Sequence, residues 1–323
     1  MKIFLRKKFK AAVCFFAFNA IKSNLIHSLR IRQRLIILNL HRISDQINPY
    51  YSSLTPKLFE DLLKFISQHF NVVTFEELSY SGPSDKPYLI LSFDDGFYDF
   101  FEVVLPLLER YRFKANLNVI PACLDSGLPV WDVALTDILN AAPISLVTRL
   151  KLPGFSYAVS ESNKAYFALA LTKYLKSKNK VERQVCWEEI LSLFSHVDVY
   201  PTRMLTKSDL LSFAGEHEIG VHSYSHETMG VESDDFFIKD FFNCKDYFYN
   251  QLKLPLFIYS FPSGSYRVEQ IDFLLSQGIK NVLIVGEDYS KHNFRVHPRF
   301  TFYADTPSEV KLRACGFNFR SFG

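Results

Sequence analysis

The sequence predicts an α/β protein built on a mainly parallel sheet. Segments patterned as strands and as helices alternate along most of the chain. The strand segments are continuous apolar runs, the form of strands buried on both faces. The chain has 323 residues, 48% hydrophobic and 22% charged, which is ample for a core and excludes disordered and collagen-like classes.

The first strand is Leu35–Leu40, ending at His41-Arg42. A helix follows over Ser53–Phe70, opened by Thr55 as cap and Pro56 in the first turn, with Leu58, Leu62, Leu63 and Ile66 at helical spacing. Asn71–Phe75 reads as a short strand and Ser81–Pro87 as a loop of turn formers. Tyr88–Phe93 is a buried strand running straight into Asp94-Asp95-Gly96. Helix Phe101–Tyr111 and strand Ala115–Ile120 continue the alternation. From 124 to about 207 the pattern becomes mainly helical, an expected insertion that contains Trp131 and Trp187, whose default role is packing. Alternation resumes with helix Ser208–Ala214, strand Glu218–Val221, a helix through Asp234–Leu252, strand Phe257–Phe261, helix Val268–Gln277 and strand Asn281–Val285. Arg295–Arg299 lies beyond the last strand expected.

Charge is uneven. Met1–Ser44 holds ten Lys or Arg and no acid, leaving 27 basic and 34 acidic residues in the rest. A basic patch at one end suits an anionic surface such as lipid headgroups, or else a solvated tail, and not nucleic acid around a whole domain. Within it Ala11–Ile21 is an apolar run of eleven residues, short of the roughly 20 a spanning helix needs and without a clean cleavage site. Residues 1–34 are therefore expected to lie on a membrane face, ahead of one domain over 35–323. The five cysteines form no CxxC, and free thiols favour a cytoplasmic or inner-face location.

In parallel α/β folds chemistry collects where strands give way to loops at their C-terminal ends. Here His41, Asp94-Asp95, His222 with His226, and Phe261-Pro-Ser-Gly-Ser-Tyr266 occupy such ends. Alone, Asp-Asp-Gly is a common turn and a four-residue histidine spacing a common accident. Together, Asp95, His222 and His226 offer two neutral nitrogens and one carboxylate, the composition of a hydrolytic zinc-type site.

Ser92-Phe-Asp-Asp-Gly96 resembles the first motif of the polysaccharide deacetylases with a NodB homology domain (carbohydrate esterase family 4), usually Thr-Phe-Asp-Asp-Gly. His222-Ser-Tyr-Ser-His226 is similar to their second motif, and Phe261-Pro262-Ser263-Gly264 to the third, built around Arg-x-Pro-Tyr-Gly. Leu40-His41-Arg42 and Leu54-Thr-Pro56 resemble the region upstream. The resemblance implies a deformed (β/α) barrel, one divalent metal (zinc, or else cobalt or nickel), and removal of N-acetyl groups from an amino sugar in a polysaccharide, oligosaccharide or lipid-linked glycan. That is a hydrolase acting on non-peptide carbon–nitrogen bonds, with an N-acetylated carbohydrate as partner. It implies Asp95, His222 and His226 as metal ligands, Asp94 as general base, and a backbone N–H near Ser263 in an oxyanion hole.

Three departures stand out. Ser260 occupies the third-motif arginine position, so Arg299 is expected to brace Asp94 instead. The fourth, acidic and Trp-containing motif has only Gly286-Glu-Asp-Tyr289 in its place. The fifth, Leu-x-x-His, is approximated by Phe294-Arg-Val-His297, which makes His297 the expected general acid. His41 and Tyr266 are expected substrate contacts. O-acetyl esterase activity on the same scaffold and a catalytically silent glycan-binding protein are the alternatives.

Overall fold

The computed structural model describes Cys14, Phe16 and residues 24–46, 48–51 and 53–317. Eight strands form one parallel sheet: β1 (Ile36–Leu40), β2 (Asn71–Val72), β3 (Tyr88–Asp95), β4 (Asn116–Val119), β5 (Glu218–Val221), β6 (Ile258–Ser260), β7 (Asn281–Val285) and β8 (Val296–Thr301). The order β1-β8-β7-β6-β5-β4-β3 closes on itself because β1 also pairs with β3, Ile36 opposite Leu89 through Leu40 opposite Phe93. The result is a closed seven-stranded (β/α) barrel, with β2 appended to the first residues of β3.

The period of two along each strand divides the side chains between two environments. Outward residues Ile36, Leu38, Leu40, Leu89, Leu91, Phe93, Leu117, Val119, Val221, Tyr259 and Val282 meet the surrounding helices in the main core. Helix Pro56–His69 covers one side with Phe59, Leu62, Leu63 and Ile66, and Thr55 caps it by accepting a hydrogen bond from the Leu58 N–H. Inward residues change character along the barrel axis. Near the N-terminal mouth they are apolar: Ile37, Ile90, Ile258 and Leu283, stoppered by Phe75 and Leu78. Higher up they are polar and fully buried: Ser92, Asn116, Asn118, Ser260 and Arg299. Gly220 makes room for this layer, since a Cβ there would lie 2.3 Å from Asn118 Oδ1 and 2.9 Å from Ile258.

Three local expectations need correction. The strand expected over Asn71–Phe75 stops at Val72, because Thr74 and Glu77 form a reciprocal capping box that starts helix Phe75–Ser79. The helix expected from Phe101 begins as a wide turn, Phe100–Val104, before Leu105–Tyr111. Pro106, without an N–H, sits at the junction. Arg295–Arg299 is not a loop: most of it lies in β8, paired with β7 from Val282–Val296 to Val285–Arg299.

Between β4 and β5 the chain leaves the barrel through helices Pro121–Ser126, Trp131–Ala141, Ile144–Val147, Lys164–Lys176 and Lys180–Leu193. These enclose their own apolar cluster, including Leu135, Leu139, Phe167, Leu171 and Ile190. Residues 24–31 are helical. Of the apolar run Ala11–Ile21, all but Cys14 and Phe16 lies outside the described residues. No helix among the described residues is long and apolar enough to cross a membrane.

Candidate active site

β3 ends in two consecutive acids that the backbone sends in related directions. Asp94 faces into the barrel by strand alternation. Asp95 would face outward, but its φ of +74° lies in the left-handed region, as does that of Gly96 at +75°. That reversal brings the Asp95 carboxylate over the barrel mouth, at a conformational cost typical of functional positions. His222 follows β5, and His226 closes the turn after it with φ +59°. Asp95 Oδ1 then lies 3.5 Å from Nε2 of both His222 and His226. One ligand atom from each of the three residues falls within 4.8 Å of the others.

Several features of this cluster fit a divalent cation. Asp95 Oδ1 is buried without a hydrogen-bond partner, an expensive condition for a polar atom. Burial pushes the Asp95 carboxyl well above its usual range, and the charges of Asp94 and Asp132 push it further. A cation would relieve that crowding. Burial also keeps both imidazoles neutral, lowering His222 and bringing His226 down to about 3. The His222 Nδ1 lies 2.9 Å from the Ser260 carbonyl oxygen, so a proton there leaves Nε2 free as a ligand.

Asp94 is gripped from the barrel interior. Arg299 reaches it from β8 with two parallel bonds, Nη1 to Oδ1 at 2.9 Å and Nη2 to Oδ2 at 2.7 Å. Asn118 Nδ2 donates to Oδ1 at 2.8 Å and Ser260 Oγ at 3.3 Å. Arg299 also donates to Ser92 and Ser260. Burial alone would raise the Asp94 carboxyl, but Arg299 outweighs it and holds the group well below the usual carboxylate range. Oδ2 has one protein bond and faces His222 Nε2 at 4.0 Å, leaving it directed at the mouth.

A cavity of about 220 Å³ opens over the cluster, lined in part by His41, Tyr51, Lys176 and Ser263. Residues 206–282 match a family model described as polysaccharide deacetylase. Over those residues the chain is similar to the polysaccharide deacetylases. The matched segment contains His222, His226 and the Pro262–Gly264 turn. The barrel as a whole is similar to three solved structures. The Streptococcus pyogenes deacetylase PplD in complex with acetate is 17% identical with a TM-score of 0.58, covering 87% of this chain and 98% of that one. IcaB from Ammonifex degensii is 14% identical with a TM-score of 0.55, covering 87% and 97%. A de-N-acetylase from Aggregatibacter actinomycetemcomitans is 15% identical with a TM-score of 0.53, covering 82% and 94%. No curated protein matches the sequence.

On this barrel the remaining expected site residues divide. Arg299 meets Asp94 as expected, replacing from β8 the arginine that Ser260 lacks on β6. His41 lines the cavity at the end of β1. Ser263 lines it too, with its backbone at φ +56° in the turn after β6. Tyr266 does not line it; its ring packs 5.2 Å from that of Phe261. His297 is not brought to the cluster. It stands near the start of β8, at the opposite mouth of the barrel, facing Phe75 at 5.0 Å. Its nitrogens are engaged by Ser290 Oγ at 2.8 Å and Asn281 Oδ1 at 3.1 Å. The reason is alternation: two residues before Arg299, His297 faces inward one layer lower.

Sequence reading missed Asn118, Tyr51, Asp132 and Lys176. Tyr51 Oη lies 3.5 Å from Asp95 Oδ2. Asp132 and Lys176 come from the insertion. Asn118 had a signal: Asn116 and Asn118 alternate with apolar residues in a strand that would otherwise be wholly apolar.

Proposed function

We propose that this protein is a metal-dependent hydrolase that removes N-acetyl groups from an amino sugar in a glycan. The observation that carries the reading is the cluster of Asp95, His222 and His226 beside an Asp94 clamped by Arg299. Asp95 and the Nε2 atoms of the two histidines would hold the ion, zinc by donor composition, with cobalt or nickel also suited. A divalent ion there supplies polarisation of the acetyl carbonyl and a lowered pKa for water.

The chain's own groups do the rest. Asp94, kept ionised by Arg299, takes a proton at Oδ2 from the attacking water. Asn118, Ser260 and Arg299 keep that carboxylate from rotating, so its position needs no reorganisation during the reaction. The water oxygen bonds to the acetyl carbon, the carbon–nitrogen bond breaks, and acetate and a free amine result. His41, not His297, delivers a proton to the departing nitrogen. Its imidazole rests neutral, brought to about 4 by burial, so the proton it delivers is the one Asp94 took from the water, and both groups end the turnover as they began. Ser263, on the cavity wall, is the backbone candidate for the developing oxyanion.

Presence of Arg299 at Asp94 answers one of the two supports of the silent glycan-binding alternative, the missing third-motif arginine, and leaves the other, the missing fourth motif, in place. The deciding experiment is acetate release from N-acetylglucosamine oligomers, beside matched O-acetylated sugars, with added zinc, cobalt or nickel. Metal-dependent release from the N-acetyl substrate supports the reading. Release confined to O-acetyl sugars turns it into an esterase, and neither release nor bound metal overturns it. Contact of residues 1–34 with an anionic membrane at the inner face remains part of the proposal, tested by vesicle co-sedimentation of the intact chain.

A further inference from the structure

The two metal-binding imidazoles are held in different ways. His222 is fixed by the barrel itself, its Nδ1 against the Ser260 carbonyl at 2.9 Å. His226 Nδ1 is buried and has no hydrogen-bond partner. The group that faces it is the carboxylate of Asp132, with Oδ1 at 3.6 Å. Asp132 belongs to no barrel strand; it sits in the first turn of helix Trp131–Ala141, inside the insertion.

That carboxylate is itself oriented. Oδ1 accepts the Val133 N–H at 3.0 Å, and Oδ2 pairs with Lys176 Nζ at 2.9 Å, from the end of helix Lys164–Lys176. Asp132 is 9% exposed, so its direction is set by these neighbours rather than by water. The insertion also grips the backbone next to the imidazole. Glu227, buried, pairs with Arg183 and lies 3.4 Å from Lys180 Nζ, both from helix Lys180–Leu193. The Arg183 guanidinium lies over the Trp131 ring at 4.6 Å, tying that grip to the helix that carries Asp132. Backbone at φ +59° in His226 and +57° in Ser223 is costly for side-chain-bearing residues and persists only where surroundings over-determine it.

We propose that Asp132 is a positioning residue for the metal centre, holding the proton on Nδ1 of His226 so that Nε2, on the side of Asp95, keeps a lone pair free for the cation. This rests on the metal-dependent reading above. The insertion is then part of the site's construction: the barrel supplies Asp95 and His222 ready-made, and the added helices set the third ligand. Carboxylate partners of ligating histidines act in this way, orienting the ring and raising its basicity.

The test is a calorimetric zinc titration of the intact chain, with circular dichroism to confirm the fold and ¹⁵N shifts of His226 to read its tautomer. Asp132→Ala is expected to weaken zinc binding about 10–100-fold and to shift His226 away from the Nδ1–H form. Asp132→Asn, which keeps an acceptor oxygen of the same shape, is expected to fall between Asp132→Ala and the native chain. It also decides the matter if Asp132→Ala does not fold. Lys176→Met, which removes one of the two bonds that orient Asp132, is expected to weaken zinc binding by less than Asp132→Ala does, because the carboxylate facing His226 and its Val133 N–H bond remain. Native zinc affinity and an unchanged tautomer in both Asp132 variants would overturn the inference. A loss in Lys176→Met equal to that in Asp132→Ala would overturn it as well, reducing Asp132 to a packing partner of Lys176. A native chain that binds no zinc, cobalt or nickel would overturn the functional reading and this inference with it.

Discussion

At the N-terminal mouth of the barrel His217, Glu218 and His297 surround a cavity of about 490 Å³; at the C-terminal mouth His41, Asp94, Asp95, His222 and His226 surround one of about 220 Å³. By size the first is the better-looking site. Its polar groups, however, are already in use. His297 is bonded through both nitrogens, His217 Nδ1 accepts the Ala115 N–H at 3.2 Å, and Glu218 accepts the N–H groups of Phe75 and Glu76, each at 2.9 Å. These bonds stopper the barrel. At the other mouth Asp95 Oδ1 is buried and left over, with the Nε2 atoms of His222 and His226 turned towards it at 3.5 Å. What separates a site from a plug here is unused bonding capacity, not the number of histidines or the volume of the cavity.

The sharpest way to break this contrast is Asp94→Asn. It removes the proposed base while keeping the shape, and acetate release is expected to fall about 10²–10⁴-fold with the circular dichroism spectrum unchanged. Near-native turnover in that variant would place the chemistry elsewhere. Next comes Arg299→Ala, which leaves Asp94 as an uncompensated buried charge. Denaturant unfolding should show a loss of about 3–5 kcal/mol, and a value near zero would mean that the clamp is not holding a charge at all.

Comparing the two mouths directly, His41→Gln should lower kcat at least about tenfold, whereas His297→Gln should lower Tm and leave kcat within about threefold. The reverse pattern would return the acid to the N-terminal mouth. The smallest effect concerns Glu218, whose carboxyl burial raises to about 7. Because the folded chain holds this proton more tightly than the unfolded one, the contribution is most favourable below about pH 4.5, declines as pH rises towards 7 and is flat beyond. Urea midpoints at pH 5.5 and 8 should therefore differ less in Glu218→Gln than in the native chain; an identical difference would remove Glu218 as its source.

Most of the barrel was legible because its outward strand residues are apolar and its helices carry caps, as at Thr55 and Pro56. The strand that escaped, β8, shows why legibility ends. Its inward residues are His297 and Arg299, with Pro298 between them, so no apolar run marks it. The same polar interior concealed Asn118 and displaced the third-motif arginine by one route through space and another through sequence. Asp94, Asp95, His222 and His226 were readable as types at strand ends. The left-handed turn that aims Asp95 could not be read, since it requires no glycine at that position. Nor could Asp132, which looks like any acid in the first turn of a helix until the fold sets it beside His226.

The order in which the barrel closes has a consequence for how the protein is made. β8 is inserted between β7 and β1, the last strand beside the first. Until residues 296–301 emerge from the ribosome, the nascent chain can form at most an open sheet of six of the barrel strands, and Asp94 has no guanidinium to meet. Pairings that span so much of the chain form late. The guanidinium that clamps Asp94 is therefore among the last parts delivered, so full assembly of the cluster at the C-terminal mouth reports that synthesis has passed β8.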